Sequence, residues 1–169
     1  MTVTYRAASV ADLPAIDRIF RTSFCDTFAH LYSDEDLSAF LSKFTAEAWR
    51  SEMEDSAYSF RIAEDEGEAV GYLKLGPSTL PVETGASATE LRQLYVLKAH
   101  HGTGVARELI DWGLHEAKQR GAEELYLTVY VDNRRARRFY ERYGFVAVGS
   151  YDFMVGSHAD EDIIMRKVL

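Results

Sequence analysis

The chain has 169 residues, 47% of them hydrophobic and 12% aromatic, which is too apolar for disorder and suits one domain with a sizeable core. Its 19 Lys and Arg face 27 Asp and Glu, a net charge of −8 that disfavours nucleic acid and favours cationic partners. One cysteine, Cys25, excludes an internal disulfide framework. No uninterrupted apolar run is long enough for a bilayer, and the histidines lack metal-ligand spacing. The opening M-T-V-T-Y-R lacks a secretory apolar segment, so the expectation is a cytoplasmic protein with no membrane partner and no metal.

In chain order, Thr2–Ala8 alternates as a strand, and Ser9 caps a helix that tolerates Pro14 early and runs to about Phe28. Ser33 opens a second helix through about Phe44, and Thr45–Glu54 makes a third. Tyr58–Ala63 and Ala69–Leu75 flank E-D-E-G-E as a hairpin. Gly76–Ala88 reads as a loop and Thr89–Leu97 as a strand, followed by helix Gly104–Arg120, strand Glu124–Val131 and helix Asn133–Tyr143. Phe145–Val155 and Ile163–Val168 close the chain as strands around an acidic loop, His158–Asp162. The order predicts an α/β fold over residues 1–169, a single mixed and mostly antiparallel sheet with helices on both faces.

Leu94 to Leu109 reads L-Y-V-L-K-A-H-H-G-T-G-V-A-R-E-L: an apolar strand, a basic glycine-containing turn, then an amphipathic helix. The first amides of such a helix lack intrahelical partners and point outward, which makes an anion site. Gly102 and Gly104 let the backbone approach that anion. A P-loop would need Lys-Ser/Thr after its second glycine, which is absent. A dinucleotide loop would need a third glycine, where Arg107 stands, although Asp132 could imitate the ribose-binding acid. The third reading is the Q/R-x-x-G-x-G/A pyrophosphate loop of the N-acetyltransferases, with His101 at its first position; a turn without a ligand is the plain alternative.

After the next strand comes D-N-R-R-A-R-R-F-Y-E-R-Y-G-F, from Asp132 to Phe145. Taken singly, Asn133 is a helix cap and Gly144 a stop. Together, Asn133, Ala136, Phe139, Tyr140, Gly144 and Phe145 resemble the N-x-x-A-x-x-F-Y-x-x-x-G-F motif of the GCN5-related N-acetyltransferase (GNAT) superfamily. Five arginines crowd this helix and Lys98, His100 and His101 crowd the loop, a concentration that suits a phosphate-rich ligand in an acidic protein. The resemblance covers essentially the whole chain. Within the superfamily it looks most like PaiA-like spermidine/spermine N-acetyltransferases, on F-C-D-T-F-A-H-L-Y-S-D-E-D-L, E-L-R-Q-L-Y-V-L-K-A-H-H-G-T-G and the closing Y-D-F-M-V-G…D-I-I-M-R-K-V-L.

The resemblance implies an acetyl-CoA-dependent enzyme that acetylates the primary amine of a small cationic acceptor, with polyamines leading. It also implies a homodimer as the common assembly. Leu94, Tyr95 and Val96 would pair with the pantetheine arm. His101, Gly102, Thr103, Gly104, Val105, Ala106 and Arg107 would surround the pyrophosphate, joined by Asn133 and Arg135 from the later helix. A neutral His101 adds little charge, so it should weaken coenzyme binding without abolishing it. Tyr140 would protonate the leaving sulfur, and the Val96 amide would donate to the thioester oxygen. Glu90 is the candidate base, with Tyr126 and Tyr130 as replacements. Asp26, Asp34, Glu35, Asp36, Asp160, Glu161 and Asp162 would give the acceptor rim a negative field. A peptide or protein N-terminal amine acceptor, and a non-catalytic acyl-CoA-binding module, are the alternatives.

Overall fold

The computed structural model describes residues 2–84 and 87–169. Seven strands form one sheet: β1 (Val3–Ala7), β2 (Ser59–Asp65), β3 (Glu68–Gly76), β4 (Ala88–Val96), β5 (Glu124–Tyr130), β6 (Val146–Val155) and β7 (His158–Val168). The helices are α1 (Leu13–Phe28), α2 (Asp34–Leu41), α3 (Ala46–Glu54), α4 (Val105–Gln119) and α5 (Arg134–Arg142). The strand order is β1-β2-β3-β4-β5-β7-β6, antiparallel except where β4 meets β5. The β2–β3 turn places Glu66 at φ 52° and Gly67 at φ 85°, the doubly positive pair that matches strand twist.

The two faces carry separate cores. α1, α2 and α3 bury Ile16, Ile19, Phe20, Phe24, Phe40 and Trp49 against Tyr72 of β3. α4 and α5 bury Leu109, Ile110, Tyr140 and Phe145 against Leu73, Leu125 and Leu127. Gly113 of α4 packs so closely that a Cβ there would lie 3.1 Å from Leu73, so a larger residue would push the helix off the sheet. The Trp49 indole donates to Asp17 at 2.9 Å, which joins α3 to α1.

Three expectations shift. Ser9 begins a short 3₁₀ turn, Val10–Asp12, and α1 follows with Pro14 in its first turn. α2 stops at Leu41 rather than Phe44, because Arg21 captures the carbonyls of Leu41 and Phe44 at 3.1 and 2.9 Å and turns the chain there. The largest change is at His158–Asp162. This segment is the start of β7, not a loop, and only Gly156 and Ser157 turn between β6 and β7. Buried Asp160 and Asp162 alternate with exposed Glu161, a strand period hidden by charged residues standing where apolar ones are expected. Gly85 and Ala86, within the predicted Gly76–Ala88 loop, lie outside the described residues.

Candidate active site

β4 and β5 pair in parallel at Ala88–Glu124, Thr89–Leu125 and Glu90–Tyr126, then diverge. Leu97 donates to the Val70 carbonyl at 2.9 Å, on the β3 side. Successive residues of a strand turn their polar groups to opposite edges, so the N–H and C=O of Val96 face the opening beside β5. A groove of about 1020 Å³ fills this opening. Its walls are the end of α1, residues 94–96, the 98–107 turn and α5 from Asn133 onward.

The turn supplies main-chain donors. Gly102 and Gly104 have φ of 75° and 93°, and nothing lies within 4 Å of where either Cβ would be. Thr103 ties its hydroxyl to the His100 carbonyl at 2.6 Å, while the α4 N-terminus opens beyond Gly104. Ala106 and Arg107 also line the groove. The Val105 side chain turns instead into the core beneath α4, which leaves only its amide at the helix N-terminus. Asn133 caps α5 by accepting from the Ala136 amide at 3.3 Å. His101 has both ring nitrogens engaged, Nε2 with the Val96 carbonyl at 2.8 Å and Nδ1 with the Arg135 guanidinium at 2.6 Å.

Tyr140 lines the groove from α5 and packs between Phe139 and Phe145, with ring centroids at 5.3 and 5.8 Å. Burial pushes its phenol well above the ordinary value of 10.0, so it holds its proton at neutral pH. Tyr95 shifts in the same direction, by burial first and then by the fields of Tyr140 and Asp162. Tyr95 lines the groove and packs its ring on Phe20 and Tyr72, with centroids at 5.4 and 6.0 Å.

At that end Asp160 and Asp162 share the sheet face that packs on α1–α3. Tyr32, in the α1–α2 connection, donates its hydroxyl to Asp160, and His158 contacts the same carboxylate at 3.1 Å. Asp162 lies beside Tyr130 of β5 and Tyr151 of β6, and the Tyr130 ring meets Phe28 of the groove wall at 6.0 Å. Burial, then the Asp160 charge, raise Asp162 to about 7, against a bond from Thr128 that lowers it. Among the described residues, neither carboxylate has an Arg or Lys within ion-pair distance.

The other acids are divided. Asp26 lines the groove. Asp36 accepts from the amide and hydroxyl of Ser157 at 2.7 and 2.8 Å and clamps the β6–β7 turn. Asp34 and Glu35 sit exposed in the first turn of α2, and Glu161 is exposed on β7. Glu90 is 7% exposed and does not line the groove; Arg92 meets it at 3.4 Å, and its other oxygen accepts from the Thr79 amide at 3.4 Å. The Tyr126 hydroxyl donates to Glu124 at 2.8 Å. Sequence reasoning missed Ser23 and Thr27, which line the groove from α1. Their i, i+4 spacing, on the helix face that also carries buried Ile16, Ile19 and Phe20, is the signal that could have found them.

Comparison with known proteins decides the family. Residues 16–145 match the model of the acetyltransferase (GNAT) family. The chain belongs to this family. It is 27% identical, over 95% of its length and 94% of the relative's, to an uncharacterized N-acetyltransferase in the pepI 3′ region of Lactobacillus delbrueckii subsp. lactis. An uncharacterized N-acetyltransferase of Mycobacterium tuberculosis is 34% identical over 68% of this chain and 70% of its own. The fold is that of the PaiA N-acetyltransferase of Thermoplasma acidophilum, solved in complex with coenzyme A, with TM-score 0.80, 24% identity and full coverage of both chains. This GNAT protein is accordingly an N-acetyltransferase, an acyltransferase that uses acetyl-CoA. The groove's open glycine cradle, free strand edge and helix N-terminus fit an elongated acyl donor with a pyrophosphate.

Proposed function

We propose that acetyl-CoA lies in the groove and that its acetyl group passes to the primary amine of a small cationic acceptor held at Asp160 and Asp162, with polyamines as the acceptor class. The observation that carries the reading is a pair of buried carboxylates, ringed by Tyr32, Tyr130 and Tyr151, that among the described residues meet His158 but no Lys or Arg. Buried carboxylates ordinarily stand beside a cation, and an acceptor ammonium supplies one.

Leu94, Tyr95 and Val96 bind the pantetheine arm along the free edge of β4. The amides of Gly102, Thr103, Gly104, Val105 and Ala106 bind the pyrophosphate, with Arg107, Asn133 and Arg135 around it. Asp162 takes one proton from the acceptor ammonium, and the neutral nitrogen attacks the thioester carbon. The Val96 N–H donates to the thioester oxygen as negative charge grows there. Tyr140 gives its phenolic proton to the sulfur as the carbon–sulfur bond breaks. The new amide gives up a second proton, which restores the phenol, and the proton on Asp162 leaves to solvent. Glu90 has Arg92 and the Thr79 amide as partners already, which favours Asp162 as the base.

Thiol release from acetyl-CoA across an amine panel tests the reading. Turnover with spermidine and spermine, exceeding that with amino acids and peptides, is the expected result. Turnover with peptides alone would replace the acceptor class, and coenzyme binding without turnover on any amine would remove the catalytic assignment of the site.

A further inference from the structure

We infer that His101 is a positioning residue that holds Arg135 at the pyrophosphate turn, so that the charge there is delivered from α5 and not from residue 101. The inference rests on the groove being the coenzyme site. An arginine only donates hydrogen bonds, so the 2.6 Å contact from Arg135 makes His101 Nδ1 an acceptor. The proton of a neutral imidazole then sits on Nε2, which faces the Val96 carbonyl at 2.8 Å and donates to it. A protonated ring would set an N–H against the guanidinium, so this arrangement requires the neutral Nε2–H tautomer.

Each contact answers a local need. The Val96 carbonyl faces the edge of β4 from which β5 has parted, and the His101 N–H provides the partner that a strand would have supplied. Arg135 stands exposed on the first turn of α5 and carries a long side chain with much rotamer freedom to lose. Anchoring one of its N–H groups on His101 leaves the others to meet a phosphate. The imidazole thus joins the end of β4 to the start of α5 across the mouth of the groove.

The test measures coenzyme A binding by calorimetry, with acetyl-pantetheine, which lacks the pyrophosphate, as control. Arg135→Ala and His101→Ala should each weaken coenzyme A about tenfold. The double variant should be no weaker than Arg135→Ala, because both changes remove one unit. His101→Gln keeps a neutral donor and acceptor and should recover most of the affinity. Acetyl-pantetheine should bind Arg135→Ala within about twofold of wild type, since that change leaves the Val96 end of β4 and its His101 partner in place. Imidazole nitrogen shifts in the ligand-free protein should show a protonated Nε2 and a bare Nδ1. A protonated Nδ1, additive losses in the double variant, or undiminished coenzyme affinity in His101→Ala would each overturn the inference. Failure of the wild-type protein to bind coenzyme A while keeping the Nε2–H tautomer would instead count against the groove as coenzyme site.

Discussion

The groove and the proposed acceptor site at Asp160 and Asp162 are made in different ways. The proposed coenzyme site draws mostly on one stretch of chain, Leu94 to Tyr143, with the end of α1 as its other wall, and offers a free strand edge, glycine amides and a helix N-terminus. The proposed acceptor site lies outside the residues that line the groove; it joins Tyr32 to Asp160 across 128 positions and presents side chains alone. A feature common to every acyl-CoA, the pyrophosphate and its arm, can be held by main chain that any sequence of suitable shape provides. The acceptor is told apart by side chains, and these are assembled only when β7 pairs with β5 and β6. On the proposed reading, specificity belongs to the site with the longer sequence separations.

Variants that damage one half and spare the other sharpen this contrast. The largest effect is expected for Tyr140→Phe, which should lower kcat by about 10²–10³-fold while leaving coenzyme affinity within about twofold, checked by steady-state kinetics beside calorimetry. An equal loss of coenzyme affinity would make Tyr140 a packing residue.

Asp162→Asn should lower kcat/KM for the amine by about a hundredfold and remove a limb near pH 7, against less than about tenfold for Glu90→Gln. A pH–rate series on both variants sorts the two carboxylates. The same group marks stability. Asp162 in the folded protein ionises near 7 and an unfolded aspartate near 3.8, so the folded state holds its proton more tightly. Its contribution is full below about pH 4 and is lost as pH rises through about 7. Urea midpoints at pH 4 and 8 should show a decline in wild type larger than in Asp162→Asn by about 1–2 kcal/mol, a figure reduced for the solvent that reaches the carboxylate.

A smaller change is expected from Gly104→Ala, at φ 93°. The strained conformation costs about 1–2 kcal/mol, and distortion of the turn should weaken coenzyme A several-fold without altering the acceptor preference. The smallest effect is in the opposite half. A Cβ at Gly156 would lie 2.6 Å from the Asp36 Cα, so Gly156→Ala must move the α2 clamp away from the β6–β7 turn. The amine KM should rise a few-fold and Tm should fall by about 2–4 °C, with coenzyme affinity unchanged. A coenzyme defect in this variant would mean that the halves are not separable.

Much of the coenzyme half was readable in advance because its determinants are local. Gly102 and Gly104 mark a turn, Asn133 and Gly144 bound a helix, and each works over a few residues. Even there, the bonds of His101 to Val96 and Arg135 were beyond the sequence, because they depend on two segments that only folding brings together. Glu90 was chosen by its place on a strand, and strand position does not reveal that Arg92 and Thr79 already occupy it. The acidic residues read as one rim because sequence lists charges without their directions. Asp36 in fact ties down a turn, Glu161 faces solvent, and Asp160 and Asp162 face inward.

By itself the amino-acid sequence determined the class of fold, the order of its elements, the glycine turn before α4 and the α5 motif, since capping, periodicity and glycine geometry act within a few residues. Tertiary structure decided which carboxylates are buried, which tyrosines surround them and which nitrogen of His101 carries the proton. Those properties arise from burial and from partners far apart along the chain, and they exist only after the sheet has closed on α1 and α5.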